Sequence, residues 1–294
     1  MSDSIPYARI LADEMQGVTN EKGEPLGILF WICVAWIGLN LLGAIFANVL
    51  PLKSPTFENF SAVNVGPGLH HLFGTDDLGR DIFARVIYGS RVSISVGAGA
   101  MAIGFGIGSP LGMLAAYRRG RFDMILTTIM YIFLAFPAII ATIAVLSFWT
   151  PRGLMKIIVV IGVASVPLVY RVIRAATLNV ATKDYVVAAK VQGATDWRIL
   201  IKELLPNIAP ILVSFLLIGI ATVIAIEGAL AFLGLSVNPP TPSWGNMINE
   251  SRTILSQNPW LVIFPSAALC AFLLCLNFIG DRLRSHFDVT EVKL

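Results

Sequence analysis

Apolar residues fall in long, nearly uninterrupted blocks separated by short charged stretches. A bilayer span needs about 20 predominantly apolar residues. Six blocks qualify: Leu26 to Leu50, Val92 to Ala116, Met124 to Phe148, Leu154 to Tyr170, Ile208 to Leu235 and Trp260 to Gly280. The pattern predicts an all-α polytopic membrane protein with six transmembrane helices. It divides the chain into an N-terminal segment (1–25), a first span (26–50), an outer segment (51–91), a five-helix core (92–280) and a tail (281–294).

Orientation follows from Lys and Arg in the connections, which favour the cytoplasmic side. Segments 1–25, 117–123, 171–206 and 281–294 together hold fourteen; segments 51–91, 149–156 and 236–258 hold seven. Both termini are therefore expected in the cytoplasm, in agreement with an even number of spans. Tyr88, Trp149, Trp244 and Trp260 then fall near outer edges, where an aromatic belt is expected. The first 25 residues carry Asp3, Asp13, Glu14, Glu21 and Glu24, unlike the basic start of a signal peptide.

Within the spans, Ala100, Gly104, Gly108 and Gly112 recur every four residues. This stripe lets another backbone approach closely. Pro110, Pro137, Pro167 and Pro265 also lie inside spans, where each removes a backbone donor and permits a kink. Tight static packing and a role in helix motion are both open at this point.

Composition agrees with a membrane solvent. The 294 residues are 56% apolar and 13% charged, whereas soluble domains carry about 25% charged residues. Mean hydropathy is +0.78. Soluble enzymes and disordered proteins are excluded. A net charge of +3 is too small to imply nucleic acid. Cys33, Cys270 and Cys275 all sit in apolar blocks without ligand spacing and read as packing residues.

Outside the membrane, Thr75 or Asp76 is positioned to cap a short amphipathic helix carrying Leu78, Ile82, Phe83, Val86 and Ile87. Asp76, Asp77 and Asp81 match no metal-ligand spacing, and no metal is expected. Adjacent His70 and His71 would point to different faces. Glu227 is the one acidic residue inside a span. A charge at membrane depth is a functional candidate by default, and the alternative is a structural hydrogen bond near the interface.

Segment 171–206 is the longest inner connection, far longer than a tether requires. A helix-favouring run through Ala188, Ala189 and Val191 stops at Gly193. Thr195 or Asp196 then caps a second helix with Trp197, Ile199, Leu200 and Leu204, which Pro206 is expected to end. Two short helices joined by a glycine turn suit docking into a partner's groove or lying on lipid headgroups.

Tyr185-Val-Val-Ala-Ala-Lys-Val-Gln-Gly193, followed after nine residues by Glu203-Leu-Leu-Pro-Asn207, resembles the EAA loop of ABC importer permeases. Ala188, Ala189, Gly193, Leu205 and Pro206 match; Val187 and Glu203 stand where the family has Glu and a hydrophobic residue. Phe73-Gly-Thr-Asp-Asp-Leu-Gly-Arg-Asp81, Glu227-Gly-Ala-Leu-Ala-Phe-Leu-Gly-Leu235 and Asn277-Phe-Ile-Gly-Asp-Arg-Leu-Arg284 are similar to the C subunits of dipeptide and oligopeptide permeases.

The resemblance implies a type I, MetI-like permease in a bacterial inner membrane, half of a pore for di- or oligopeptides. It implies a homologous B-type permease partner, one or two P-loop ATPase subunits and an extracytoplasmic peptide-binding protein. ATP and Mg would belong to the ATPases; this chain has no P-loop. Tyr185, Ala188, Ala189, Gly193, Ala194, Asp196, Leu205 and Pro206 would form the ATPase-coupling loop. Glu227 would order the outer gate, and Asp76, Asp77, Arg80, Pro239, Pro240 and Trp244 would meet the binding protein. Nickel chelates, glutathione or cationic peptides are alternative cargoes. An ion-driven secondary transporter is the rival class, against which stand the single buried charge and the lack of an internal repeat.

Overall fold

Backbone groups in hydrocarbon must be satisfied within the chain, so long apolar runs fold as helices. The computed structural model describes residues 26–149 and 153–291, with side chains as far as residue 286. Among the described residues it is helical, with one isolated bridge between Thr75 and Asp81. Helix α1 is Ile28–Phe46, α2 Ile82–Arg118, α3 Gly120–Ala135, α4 Ala138–Phe148 and α5 Leu154–Val180. Helix α6 is Asp184–Val191, α7 Asp196–Phe232, α8 Trp244–Ser251 and α9 Trp260–Glu291. Five of these are long and apolar enough to cross a membrane, and α3 with α4 makes a sixth if the bent pair is one span. The N-terminal segment expected over residues 1–25 lies outside the described residues.

Several boundaries move. The outer amphipathic helix is not separate: it is the first turns of α2. Asp81, rather than Thr75 or Asp76, caps it, accepting from the Ala84 amide at 3.0 Å. The charged stretch does not interrupt the helix because its side chains have partners. Arg91 caps the end of α1 through the Ala44 and Ile45 carbonyls and the Asn48 amide oxygen. The Tyr88 hydroxyl donates to the Ala47 carbonyl at 3.0 Å. Orphan C-terminal carbonyls of α1 are thus met by side chains of α2.

The third span is broken. Phe136 is extended (φ −88°, ψ 130°) because the ring of Pro137 excludes the helical conformation before it. The axes of α3 and α4 differ by 74°. Pro110, Pro167 and Pro265 lie within continuous helices. Pro206 does not end a helix either. Residues Ile199–Leu204 form a wider π turn, and the Leu205 amide donates to the Leu200 carbonyl. The wider turn takes up a proline that a tight α turn would reject, so the helix that begins at Asp196 runs straight into the fifth span.

The glycine stripe of α2 seats α5. A Cβ on Gly108 would lie 2.9 Å from the Val166 carbonyl oxygen, and one on Gly112 would lie 2.8 Å from that of Tyr170. The two backbones touch along several turns, as small-residue packing in membranes permits. Asp123 at the start of α3 is held by Arg174 near the end of α5 through two 2.6 Å hydrogen bonds. The outer aromatic belt is only partly present. Trp149 is exposed, but Trp244 is fully buried, its Nε1 donating to the Val86 carbonyl at 3.0 Å.

Candidate functional site: the α6–α7 helix pair and the Glu227 cap

Two regions carry the chemistry singled out by the sequence. At one end of the bundle, α6 begins with Asp184 and carries Lys190 in its last turn, each charge complementing its end of the helix dipole. Val186 is buried, and Ala189 packs on the same cluster. Val187, Ala188 and Val191 face out.

Gly193 closes the helix at φ +81°. Its amide bonds to the Lys190 carbonyl (3.1 Å), and the Ala194 amide reaches back to Ala189 (3.1 Å). This pairing is the Schellman arrangement. A Cβ on Gly193 would meet nothing within 4 Å. The turn therefore demands glycine for its left-handed backbone and not for lack of room.

Thr195 caps α7, its Oγ accepting from the Arg198 amide at 3.4 Å. Ile199, Leu200 and Leu204 anchor this helix in the core beside Ala194 and Leu205. Asp196, Trp197 and Pro206 are exposed. The loop thus leaves Val187, Ala188, Val191 and Trp197 exposed, together with Tyr185. Tyr117, at the end of α2, reaches both helices. Its hydroxyl donates to Asp196 at 2.9 Å, and Lys190 Nζ stands 5.9 Å from its ring centre. Nothing in the sequence pattern marked Tyr117, because the partners are remote along the chain.

Towards the other end of α7, Glu227 is fully buried. Its Oε1 accepts from Ser236 (2.5 Å) and Ser243 (3.0 Å), and its Oε2 from Ser93 (3.3 Å). Ser243 also caps α8, accepting from the Asn246 amide at 3.1 Å. One carboxylate therefore ties α7 to α2, to the connection after α7 and to the start of α8. This is the hydrogen-bonded arrangement that a charge at such depth requires.

A second buried group joins the outer segment to the core. Arg80 pairs with Asp76 (2.6 Å) and Glu250 (3.3 Å), and Arg85 pairs with Glu250 (2.8 Å). His71 Nδ1 lies 2.8 Å from Asp81 Oδ2, while His70 is exposed, so the two histidines do face apart. These placements revise the expected outer contacts. Asp76, Arg80 and Trp244 are committed inside the cap, whereas Asp77, Pro239 and Pro240 are exposed. Among the described residues no three His, Cys, Asp or Glu side chains converge as a metal site.

Between these regions, the α3–α4 break opens onto an apolar cavity of about 170 Å³. Leu134, Thr142, Leu168, Phe215 and Thr222 line it. A larger groove along α4 and α5 has Phe136, Pro137, Val145, Trp149 and Val163 in its walls.

Residues 108–289 match the family described as binding-protein-dependent transport system inner membrane component. The dipeptide transport system permease protein DppC of Alkalihalophilus pseudofirmus is 39% identical over 249 residues, 84% of this chain and 81% of its own. The glutathione transport system permease protein GsiD of Pectobacterium atrosepticum is 36% identical over 240 residues, 82% of this chain and 79% of its own. Among solved structures, an inward-facing MetNI methionine ABC transporter chain superposes with a TM-score of 0.61 at 23% identity, covering 70% of this chain and 97% of that one.

Proposed function

This chain belongs to the family of binding-protein-dependent transport system inner membrane components, and on that premise we propose that it is a transmembrane subunit of an ATP-driven importer of di- or oligopeptides. The observation that carries the reading is the exposed apolar face of α6 and the start of α7, held beneath the bundle by buried Val186, Ile199 and Leu200. A folded helix pair with aliphatic and aromatic side chains in water has the form of a docking surface. Its sequence is the one that resembles the EAA loop.

In this reading ATPase subunits seat on Tyr185, Val187, Ala188 and Trp197 and carry the ATP and Mg. The remaining coupling-loop residues, Ala189, Gly193, Ala194, Asp196, Leu205 and Pro206, shape the surface. A homologous permease completes the pore, and its counterpart surface on this chain includes the kinked α3–α4 span. An extracytoplasmic peptide-binding protein meets the outer face at Asp77, Pro239 and Pro240. Glu227 holds the outer cap as one body and orders the gate by doing so. Both termini lie in the cytoplasm of a bacterial inner-membrane protein.

Glutathione, itself a short peptide, is the second cargo reading, favoured by the similarity to the glutathione permease. Gentle solubilisation and co-purification test the proposal. Recovery of one homologous permease and one or two P-loop ATPases is the expected result, and the ligand held by an associated binding protein identifies the cargo. Recovery of the chain alone, with proton- or sodium-driven uptake in liposomes, overturns it.

A further inference from the structure

We propose that Tyr117 is a positioning residue that fixes the angle of the cytoplasmic helix pair and thereby ties ATP hydrolysis to transport; this rests on the reading of that pair as the ATPase-docking surface. The pair is a V whose arms, α6 and α7, meet at Gly193, a turn with open space around it. The Schellman hydrogen bonds and the buried anchors Val186, Ile199 and Leu200 hold the pair together; Tyr117 adds the side-chain link that joins both arms to the end of α2. It stands at the end of α2 and touches both arms: its hydroxyl donates to Asp196 on one, and its ring lies under Lys190 on the other. Leu114, one turn earlier, packs on the same cluster as Val186, Ile199 and Leu200.

What Tyr117 holds is then passed on without slack. Helix α2 meets α5 backbone to backbone at Gly108 and Gly112, and Arg174 of α5 grips Asp123 of α3. A push on the V is delivered to α2, α3 and α5 together. A loosened V lets the ATPases move without moving the spans.

The test uses the complete importer, reconstituted in liposomes with its partner permease, ATPases and binding protein. Cargo moved per ATP hydrolysed is compared for wild type, Tyr117→Phe, Asp196→Ala and the double variant. Tyr117→Phe keeps the ring and its packing and removes only the hydroxyl, so folding is retained. The expected result is a roughly five-fold fall in the ratio, the population change of one lost hydrogen bond, with the ATPases still bound. The double variant should fall no further than either single one. A wild-type ratio in Tyr117→Phe overturns the proposal, as do additive effects in the double variant or loss of the ATPases from the complex. Ala188→Arg, run in parallel, tests the docking reading separately: retention of the ATPases in that variant sinks the docking surface, whatever the Tyr117 ratio.

Discussion

Arg174 holds Asp123 with one 2.6 Å hydrogen bond to each carboxylate oxygen, across a sequence separation of 51 residues. Thr127 adds a donor to the same carboxylate at 3.1 Å and shares a 2.8 Å hydrogen bond with Tyr170. The group fastens the start of α3 to the end of α5. Planar two-point pairing is a geometry that arginine provides and lysine does not.

Asp123→Asn should therefore destabilise the protein by about 1.5–3 kcal/mol, the usual worth of hydrogen bonds to charged groups. Arg174→Lys should recover only part of it. A double-mutant cycle on thermal unfolding in detergent checks this, with a coupling near zero as the contrary result.

Replacing Glu227 tests the outer knot. Glu227→Ala leaves the hydroxyls of Ser93, Ser236 and Ser243 buried without their acceptor. At about 1–3 kcal/mol for each orphaned group, the variant should be recovered poorly from the membrane. Glu227→Gln keeps a carbonyl oxygen for Ser236 and Ser243 and should fold. If Glu227→Gln also transports at the wild-type rate and is equally stable, Glu227 has no part in the gate.

At Gly193 the cost is conformational, so the size of the new side chain should matter little. Gly193→Ala and Gly193→Leu should each cost about 1 kcal/mol, the penalty of placing an L residue in the left-handed region. Gly193→Asn, which tolerates that region, should cost less. All three should stay folded, and the first two should weaken ATPase association. A much larger effect of Leu than of Ala, read by quantitative co-purification, contradicts the open turn.

The stripe of α2 makes the opposite prediction. Gly108→Ala forces a methyl group against the backbone of α5 and should cost about 1–3 kcal/mol as an overpacked site. Gly106→Ala, two residues away, meets nothing within 4 Å and should be neutral or slightly stabilising. Thermal stability of the pair distinguishes a one-sided seam from a generally intolerant helix.

The sequence revealed the spans through their apolar length and the α2–α5 seam through the four-residue spacing of small residues. Gly193 and Thr195 disclosed the helix pair because turn and cap chemistry is local. Positions set by long-range pairing stayed hidden. Asp76, Arg80 and Trp244 looked like surface residues, since polarity and a proline-rich setting are typical of loops. Their burial depends on Glu250, Val86 and Phe272, far along the chain. The long uninterrupted start of α2 was hidden for the same reason: Arg85 is buried only because Glu250, Asp76 and the Pro55 carbonyl meet it, and the end of α1 meets Arg91. Pro206 misled because a π turn is not written in any short motif.

The break at Pro137 has one more implication. Around Phe133–Ala138 the regular ladder is interrupted: the Phe136 amide turns to the Phe133 carbonyl, and the Pro137 carbonyl starts the next helix; a carbonyl that loses its helical partner has none in hydrocarbon. Such a stretch tolerates only water or another protein as its neighbour. Ile28, Trp31, Leu39 and Ile45 of α1, on an unbroken helix, stand open without that constraint. One proline thus decides where along the bundle the helical backbone itself, and not only its side chains, calls for a neighbour.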